Sequence, residues 1–168
     1  QLARRGFVTL SIGTTVTTQN RTYAIHYPSI EKATVQPLSM LAYAAANAWH
    51  LLARRPEVDS ERIGILGHSY GGKWAMFASC LFERFACAAW SDPGIVLDTR
   101  PSINYWDPWY LGWHPRPWRK RGVPTSSNPA RGLYPRLLKE GRDLHELHAL
   151  MAPRPFLVSG GSEDPPSR

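Results

Sequence analysis

The sequence contains little cysteine, little lysine and no long apolar run. Its two cysteines, Cys80 and Cys87, are too few for a disulfide scaffold, and we expect both to be core residues. The longest apolar stretch, residues 41–53, is interrupted by Asn47 and His50, so it predicts no membrane-spanning helix. Internal repeats and low-complexity segments are also absent, which excludes a repeat array.

The charge is basic but dominated by arginine. Lys and Arg together number 20 against 13 Asp and Glu, and only 4 of the 20 are lysine. A net charge of +7 permits a nucleic-acid or other anionic partner without requiring one. Because no nucleic-acid-binding motif accompanies the charge, we expect no nucleic-acid partner. With 43% hydrophobic and 20% charged residues, the 168-residue chain is predicted to fold as one domain.

Apolar strand-like runs alternate with helical patterns along the chain. This alternation predicts a parallel sheet with helices on its faces, in the α/β class. The run at 63–66 is continuous, which is typical of a strand buried on both faces. The predicted strands are 7–12, 63–66, 85–90 and 156–159, and the predicted helices are 38–54, 71–82 and 145–151.

Each predicted helix has an apolar face at helical spacing. In the first helix the face that we expect to be buried consists of Leu41, Ala45, Ala48 and Leu52. In the second helix the expected inner face consists of Trp74, Phe77, Ala78 and Leu81.

Residues 67–71, with the sequence Gly-His-Ser-Tyr-Gly, match the pattern G-x-S-x-G between a predicted strand and a predicted helix. A serine at such a sharp turn projects its hydroxyl from the edge of the sheet, as a nucleophile requires. We expect Gly67 and Gly71 to leave room for the close approach of strand and helix. The backbone N–H of Tyr70 would then donate to the oxyanion of a tetrahedral intermediate, with Ser69 as the nucleophile.

Residues 58–73 and 152–164 resemble the α/β-hydrolase family, most closely bacterial esterases of the acetyl-xylan-esterase, glucuronoyl-esterase and dienelactone-hydrolase type. The resemblance implies a partial α/β-hydrolase fold: a mostly parallel sheet, flanking helices and a Trp/Arg-rich insert. It also implies a Ser-acid-His triad that hydrolyses carboxylic esters without a cofactor.

Two aspartates compete for the role of the acid. Asp164 follows the last predicted strand, where the family usually places this residue. Asp92 follows the strand after the nucleophile helix, which is the acid position of some hydrolases, including glucuronoyl esterases. The acid would hold the base histidine in one tautomer and stabilise the imidazolium. Both aspartates also suit a turn, so each keeps a purely structural interpretation.

The base histidine is expected after the acid, and none of the 6 histidines follows Asp164. A second oxyanion donor is expected on a loop after an early strand. The resemblance therefore implies that residues 1–168 are the central part of one domain, with early strands and a histidine-bearing segment outside it. By itself this segment is expected to be inactive or nearly so.

The other histidines suggest no separate chemistry. His145, Glu146 and His148 form H-E-x-H, which lacks the H-E-x-x-H spacing of zinc proteases, so we expect no metal. His68 is expected to pack beside the strand that precedes the serine, and His50 to lie on a helix.

Residues 98–136 form the Trp/Arg-rich insert, which in the family would be a lid or a pocket wall. Aromatic faces of Trp106, Trp109 and Trp113 would suit a sugar ring or an aromatic acyl group. Three arginines are candidates for binding a substrate carboxylate: Arg116, Arg119 and Arg131. The alternative is an insert that packs its aromatics on the core and exposes its charges to solvent.

These features together favour a serine hydrolase that acts on a small-molecule or carbohydrate-linked carboxylic ester. A peptidase or thioesterase of the same fold is an alternative, because substrate choice depends on loops rather than on the serine turn. A third hypothesis is a non-catalytic carbohydrate-binding module that has lost its base. The sequence gives no information on the cellular compartment.

Overall fold

The computed structural model describes residues 1–13, 28–29, 31–35, 37–97, 119–120 and 124–161. Short 3-10 helices lie at Ala3–Arg5 and Ser60–Arg62. The main elements in chain order are α1 (Pro37–Ala53), β1 (Gly64–His68), α2 (Tyr70–Leu81), β2 (Cys87–Ser91), α3 (Tyr134–Lys139), α4 (Leu144–Ala149) and β3 (Phe156–Ser159).

The strands form a parallel sheet in the order β1-β2-β3. Gly64 pairs with Cys87 and His68 with Ser91, and Ala88 pairs with Phe156. Parallel neighbours require long crossovers, here α2 between β1 and β2, and a longer segment containing α3 and α4 between β2 and β3. The predicted α/β class and parallel sheet are confirmed.

One face of the sheet is packed against helices. Ala88 and Trp90 point toward α2, and the Trp90 indole N–H donates to the Ser79 hydroxyl at 3.1 Å. The Trp90 ring stacks on Phe156 at 4.7 Å and lies 5.3 Å from the His148 ring on α4. The core of the described residues therefore lies between this sheet face and the helices.

The opposite face is open in the part of the chain that the structure describes. Leu66 and Leu157, both in register with Ala89, are each 64% exposed. The expectation that β1 is buried on both faces is therefore wrong for the described residues, since none of their helices covers this side. Cys87 lies exposed on the same face, which corrects its predicted core position, whereas Cys80 is buried as expected.

Helix α1 packs on α2 through Leu38, Ala42, Ala45 and Trp49, all of which are buried. Of the residues predicted to be buried in this helix, Ala45 is buried as expected. The buried face is otherwise rotated by about one residue from the predicted one, so Leu41 and Leu52 lie at the margin of the buried face. The Trp74 indole N–H donates to the Leu41 carbonyl at 2.5 Å, which also fixes this orientation. In α2, Leu81 is exposed instead of buried.

Residues 7–12 form no strand, contrary to the prediction, and their large apolar side chains are exposed. A strand is stable only when its backbone pairs with a neighbour. The free edge of β1 has no strand partner among the described residues, so the apolar pattern at 7–12 lacks the pairing that would make it a strand.

Candidate active site

Ser69 is the single residue between β1, which ends at His68, and α2, which begins at Tyr70. Its backbone angles are φ 54° and ψ −116°. Such a conformation is unfavourable for a residue with a Cβ and persists only where the surroundings enforce it. The predicted sharp strand-to-helix turn is therefore present, and it is strained at the serine.

Two glycines make the close approach of strand and helix possible. A Cβ at Gly67 would lie 2.0 Å from the Gly71 carbonyl oxygen, and one at Gly72 would lie 2.6 Å from the Ser91 carbonyl oxygen. A Cβ at Gly71 would meet no described atom within 4 Å outside its own helix and chain neighbours. The steric expectation is thus correct for Gly67 and wrong for Gly71, because Gly72 is the residue that faces β2.

Backbone hydrogen bonds hold the turn against the neighbouring strand. The Ser69 N–H donates to the Ser91 carbonyl at 2.8 Å, and the Lys73 N–H donates to the Ser69 carbonyl at 3.0 Å. Tyr70 is the first residue of α2, where N–H groups have no acceptor within the helix and the helix dipole favours negative charge. The oxyanion role of Tyr70 stays a prediction that this placement suits.

Asp92 follows β2 at the same edge and has a positive φ of 49°. Its Oδ1 accepts from the Gly161 N–H at 3.0 Å and its Oδ2 from the Ser91 hydroxyl at 3.0 Å, while its own N–H donates to Ser159 at 2.8 Å. The Gly161 N–H, followed by the Ser91 hydroxyl and the nearby His68, holds the pKa of Asp92 below its usual value. Asp92 thereby links the ends of all three strands.

His68 is not packed beside the strand as expected. Its side chain is 73% exposed, with Nδ1 3.1 Å from Ser91 Oγ and 3.3 Å from Asp92 Oδ2. The prediction failed because His68 and Ser91 are cross-strand partners, 23 residues apart in sequence.

Lys73 is a charged residue at the site that the sequence argument missed. It lies one helical turn after Ser69, is only 2% exposed, and burial lowers the pKa of its ammonium group to about 8. A sequence signal exists, since Lys73 precedes Phe77 by four residues and therefore shares the predicted inner face of α2.

Several predicted site residues lie outside the described part of the chain. They are Asp164, Trp106, Trp109, Trp113 and Arg116. The two remaining arginine candidates have partners within the chain: Arg119 is buried and donates to the Pro129 carbonyl at 3.1 Å, and Arg131 pairs with Glu31. A role in binding a substrate carboxylate is thus not supported for either.

The described residues contain no group of three His, Cys, Asp or Glu side chains placed to hold a metal ion. His148 Nε2 lies 3.1 Å from the Met76 sulfur, and burial is the main cause that lowers the pKa of this histidine. His145, by contrast, is exposed. Within the described residues, no helix has the length and apolar character needed to cross a bilayer.

The model of the prolyl oligopeptidase family matches residues 44–165, a range that contains the strained serine and all three strands. The chain belongs to the prolyl oligopeptidase family. This membership and the parallel sheet confirm the predicted α/β-hydrolase fold and the relation to serine hydrolases. The search of curated proteins found no match to this chain.

Solved structures with the same fold include two bacterial esterases. A glucuronoyl esterase from Solibacter usitatus has 22% identity and a TM-score of 0.54, and the match covers 77% of this chain and 31% of that one. A promiscuous CE15 esterase from a marine bacterial metagenome has 22% identity and a TM-score of 0.55, with 95% and 38% covered. The chain thus spans well under half the length of these structures, and the likeness is one of fold.

Proposed function

We propose that the protein containing this chain is a serine hydrolase of carboxylic esters with Ser69 as its nucleophile. The observation that carries the proposal is the strained backbone of Ser69 at the junction of β1 and α2, with Gly67 and Gly72 leaving room for it. Backbone strain of this kind, held by the surrounding structure, is concentrated at functional sites.

In the proposed reaction, Ser69 Oγ attacks the acyl carbon while a histidine outside residues 1–168 accepts the hydroxyl proton. The tetrahedral oxyanion is stabilised by the Tyr70 N–H and a second donor outside the chain. The intermediate releases the alcohol, which takes the proton from the histidine, and leaves an acyl-Ser69 ester. Water then attacks this ester with the same histidine as base, which yields the carboxylic acid and free Ser69.

For the acid we favour Asp164, with Asp92 as the alternative. Both Asp92 oxygens already accept hydrogen bonds inside the chain, from Gly161 on one side and from Ser91 on the other. Asp164→Asn should lower kcat about 10³- to 10⁴-fold, as loss of the acid does in a triad. Asp92→Asn should have a much smaller effect, of about tenfold. The reverse order of the two effects would identify Asp92 as the acid.

A carbohydrate-linked ester is the substrate class that we propose. The support is the predicted pocket wall with Trp106, Trp109 and Trp113 in the 98–136 insert, together with the fold shared with two esterases, one of them a glucuronoyl esterase. Replacing Trp109 by Ala should raise KM for an acetylated xylan oligosaccharide or a glucuronate ester more than for p-nitrophenyl acetate. Equal effects on all substrates would remove the carbohydrate proposal.

Peptide hydrolysis is the second candidate, and the family match is the observation that favours it. An ester and an amide with the same acyl group separate the two functions through their kcat/KM values. Turnover of the ester without measurable turnover of the amide supports the esterase, and measurable turnover of a prolyl peptide amide supports the peptidase.

The direct test of the nucleophile uses the full-length protein and its Ser69→Ala variant on p-nitrophenyl acetate. We expect kcat to fall by about 10⁴-fold or more, since the triad depends on its nucleophile. Undiminished turnover in the variant would refute the proposal. A wild-type protein that binds oligosaccharides but turns over no ester would instead support the non-catalytic module.

A further inference from the structure

His68 has an environment that the serine turn does not require. It is the last residue of β1, immediately precedes Ser69, and keeps 73% of its side chain exposed. Its Nδ1 faces Ser91 Oγ at 3.1 Å and Asp92 Oδ2 at 3.3 Å. Two polar groups at the end of the adjacent strand therefore fix one side of the imidazole.

The hydrogen bonds determine which nitrogen of His68 carries the proton. The Ser91 hydroxyl uses its single proton to donate to Asp92 Oδ2 at 3.0 Å, so toward His68 it is an acceptor. The Asp92 carboxylate, whose pKa is lowered, is ionised at neutral pH and is also only an acceptor. Nδ1 thus faces two acceptors and must hold the N–H. In the neutral imidazole, Nε2 then carries the free lone pair.

His68 lies at the end of the sheet where we expect the substrate to bind. Ligands of open parallel sheets bind at the carboxyl ends of the strands, where His68 lies. The Ser69 N–H bonds to the Ser91 carbonyl at 2.8 Å, so the nucleophile and the group that orients His68 are on adjacent strand ends. Nε2 has no hydrogen-bond partner among the residues that the structure describes. In this tautomer Nε2 can only accept, so it selects a hydrogen-bond donor rather than a carboxylate.

We propose that His68 is a specificity-determining residue whose Nε2 accepts a hydrogen bond from a substrate hydroxyl group close to the ester that Ser69 attacks. The inference rests on the proposed esterase function. Ser91 and Asp92 are positioning residues that hold the imidazole in the accepting tautomer.

The test compares two variants of His68 in the full-length protein. In His68→Asn the amide nitrogen takes the place of Nδ1 and nothing takes the place of Nε2, whereas in His68→Gln the amide reaches the position of Nε2. The substrates are two pairs that differ only in a hydroxyl donor: hydroxyethyl acetate with methoxyethyl acetate, and ethyl glycolate with ethyl methoxyacetate. Selectivity is the ratio of kcat/KM within each pair.

We expect His68→Asn to lower the selectivity for the hydroxyl substrate of at least one pair by about fivefold to tenfold, the value of one neutral hydrogen bond. His68→Gln should retain more of it, and His145→Asn, at an exposed histidine on α4, should leave it unchanged. Unchanged selectivity in His68→Asn for both pairs, or an equal loss for all four substrates, would overturn the inference. Full activity in Ser69→Ala would instead refute the esterase proposal itself.

Nitrogen NMR of the histidines provides a test that does not depend on the variants. In the neutral form of His68, Nδ1 should be protonated and Nε2 should have the chemical shift of an unprotonated nitrogen. A neutral His68 with its proton on Nε2 would contradict the inference.

Discussion

The two ends of the sheet are built in different ways. At the carboxyl ends of the strands, Ser69 and Asp92 both have positive φ, and the glycines approach backbone atoms closely. At the opposite end, Trp49, Phe82 and Phe85 pack edge to face with ring centroids 5.6–5.7 Å apart, and the Arg84 guanidinium lies 4.7 Å from the Trp49 ring. Apart from glycines, no described residue at that end has a positive φ.

Arg154 adds hydrogen bonds to the packing at this second end of the sheet. Its guanidinium donates to the carbonyls of Ser79 at 2.9 Å, Phe85 at 3.0 Å and Leu150 at 2.9 Å, so it joins the end of α2, the start of β2 and the end of α4. Strain is thus located at the end that carries the candidate chemistry, and cohesive packing at the other. Substitutions at the two ends should therefore be harmful for different reasons.

The largest expected effect is at Gly67. Gly67→Ala places a methyl group 2.0 Å from the Gly71 carbonyl oxygen, and both partners are backbone or Cβ atoms that have no rotamer to relieve the overlap. We expect the free energy of unfolding to fall by about 3 kcal/mol or more. Urea denaturation of the full-length protein measures this. The control is Gly71→Ala, which should be neutral, and equal losses in both variants would contradict the geometry.

Arg154→Met should give the next largest effect. It removes the charged donor from the carbonyls that Arg154 binds at the packed end, and we expect a loss of about 2 kcal/mol in the free energy of unfolding. Arg84→Met is the matched control at the same end, because its cation–π contact and its 3.8 Å pairing with Glu61 are half-exposed, so its loss should be below about 1 kcal/mol. A larger loss for Arg84→Met would contradict the assignment of Arg154 as the link.

Lys73 provides a pH test of the site end. Burial lowers the pKa of its ammonium group from 10.5 to about 8 in the folded state, so between these values the unfolded chain binds more protons. Lys73 should therefore make the free energy of unfolding rise by about 3 kcal/mol from about pH 8 to pH 10.5, and its contribution should be lowest below pH 8. In Lys73→Met the rise should be absent. An equal rise in both proteins would show that Lys73 is not its source.

Asp92→Asn should give the smallest change, and this change should be lost in acid. The folded-state pKa of Asp92 lies below its ordinary 3.8, so its stabilisation is present above that value and lost as the pH falls through the lowered pKa. The difference in Tm between wild type and Asp92→Asn should accordingly shrink from pH 6 to pH 2. A difference that is constant over this range would show that the carboxylate contributes nothing through its charge.

The sequence predicts what is local and misses what depends on pairing. The strand, the serine turn and α2 are correctly placed because their pattern lies within about twenty consecutive residues. The orientation of His68 could not be predicted, because it depends on the β1–β2 register and on the backbone of Asp92. Residues 7–12 show the converse error, since their apolar pattern suits a strand but a strand forms only with a partner.

The serine turn illustrates the same limit at finer scale. The sequence shows glycines at 67, 71 and 72, but only the packing of α2 over β2 reveals that Gly72, not Gly71, meets the Ser91 carbonyl. Burial of Lys73 could have been predicted from the helical face that it shares with Phe77. Its lowered pKa depends on the density of packing around it, which the sequence pattern does not report.

The proposed function requires Ser69 to be an activated nucleophile. Labelling of the full-length protein with a fluorophosphonate, followed by peptide mass spectrometry, tests it most directly, because this reagent modifies activated serines and spares ordinary ones. We predict a single phosphonylated serine at position 69, no labelling of Ser69→Ala, and loss of esterase activity in proportion to the label. An active esterase that is labelled at another serine, or not at all, would contradict the account.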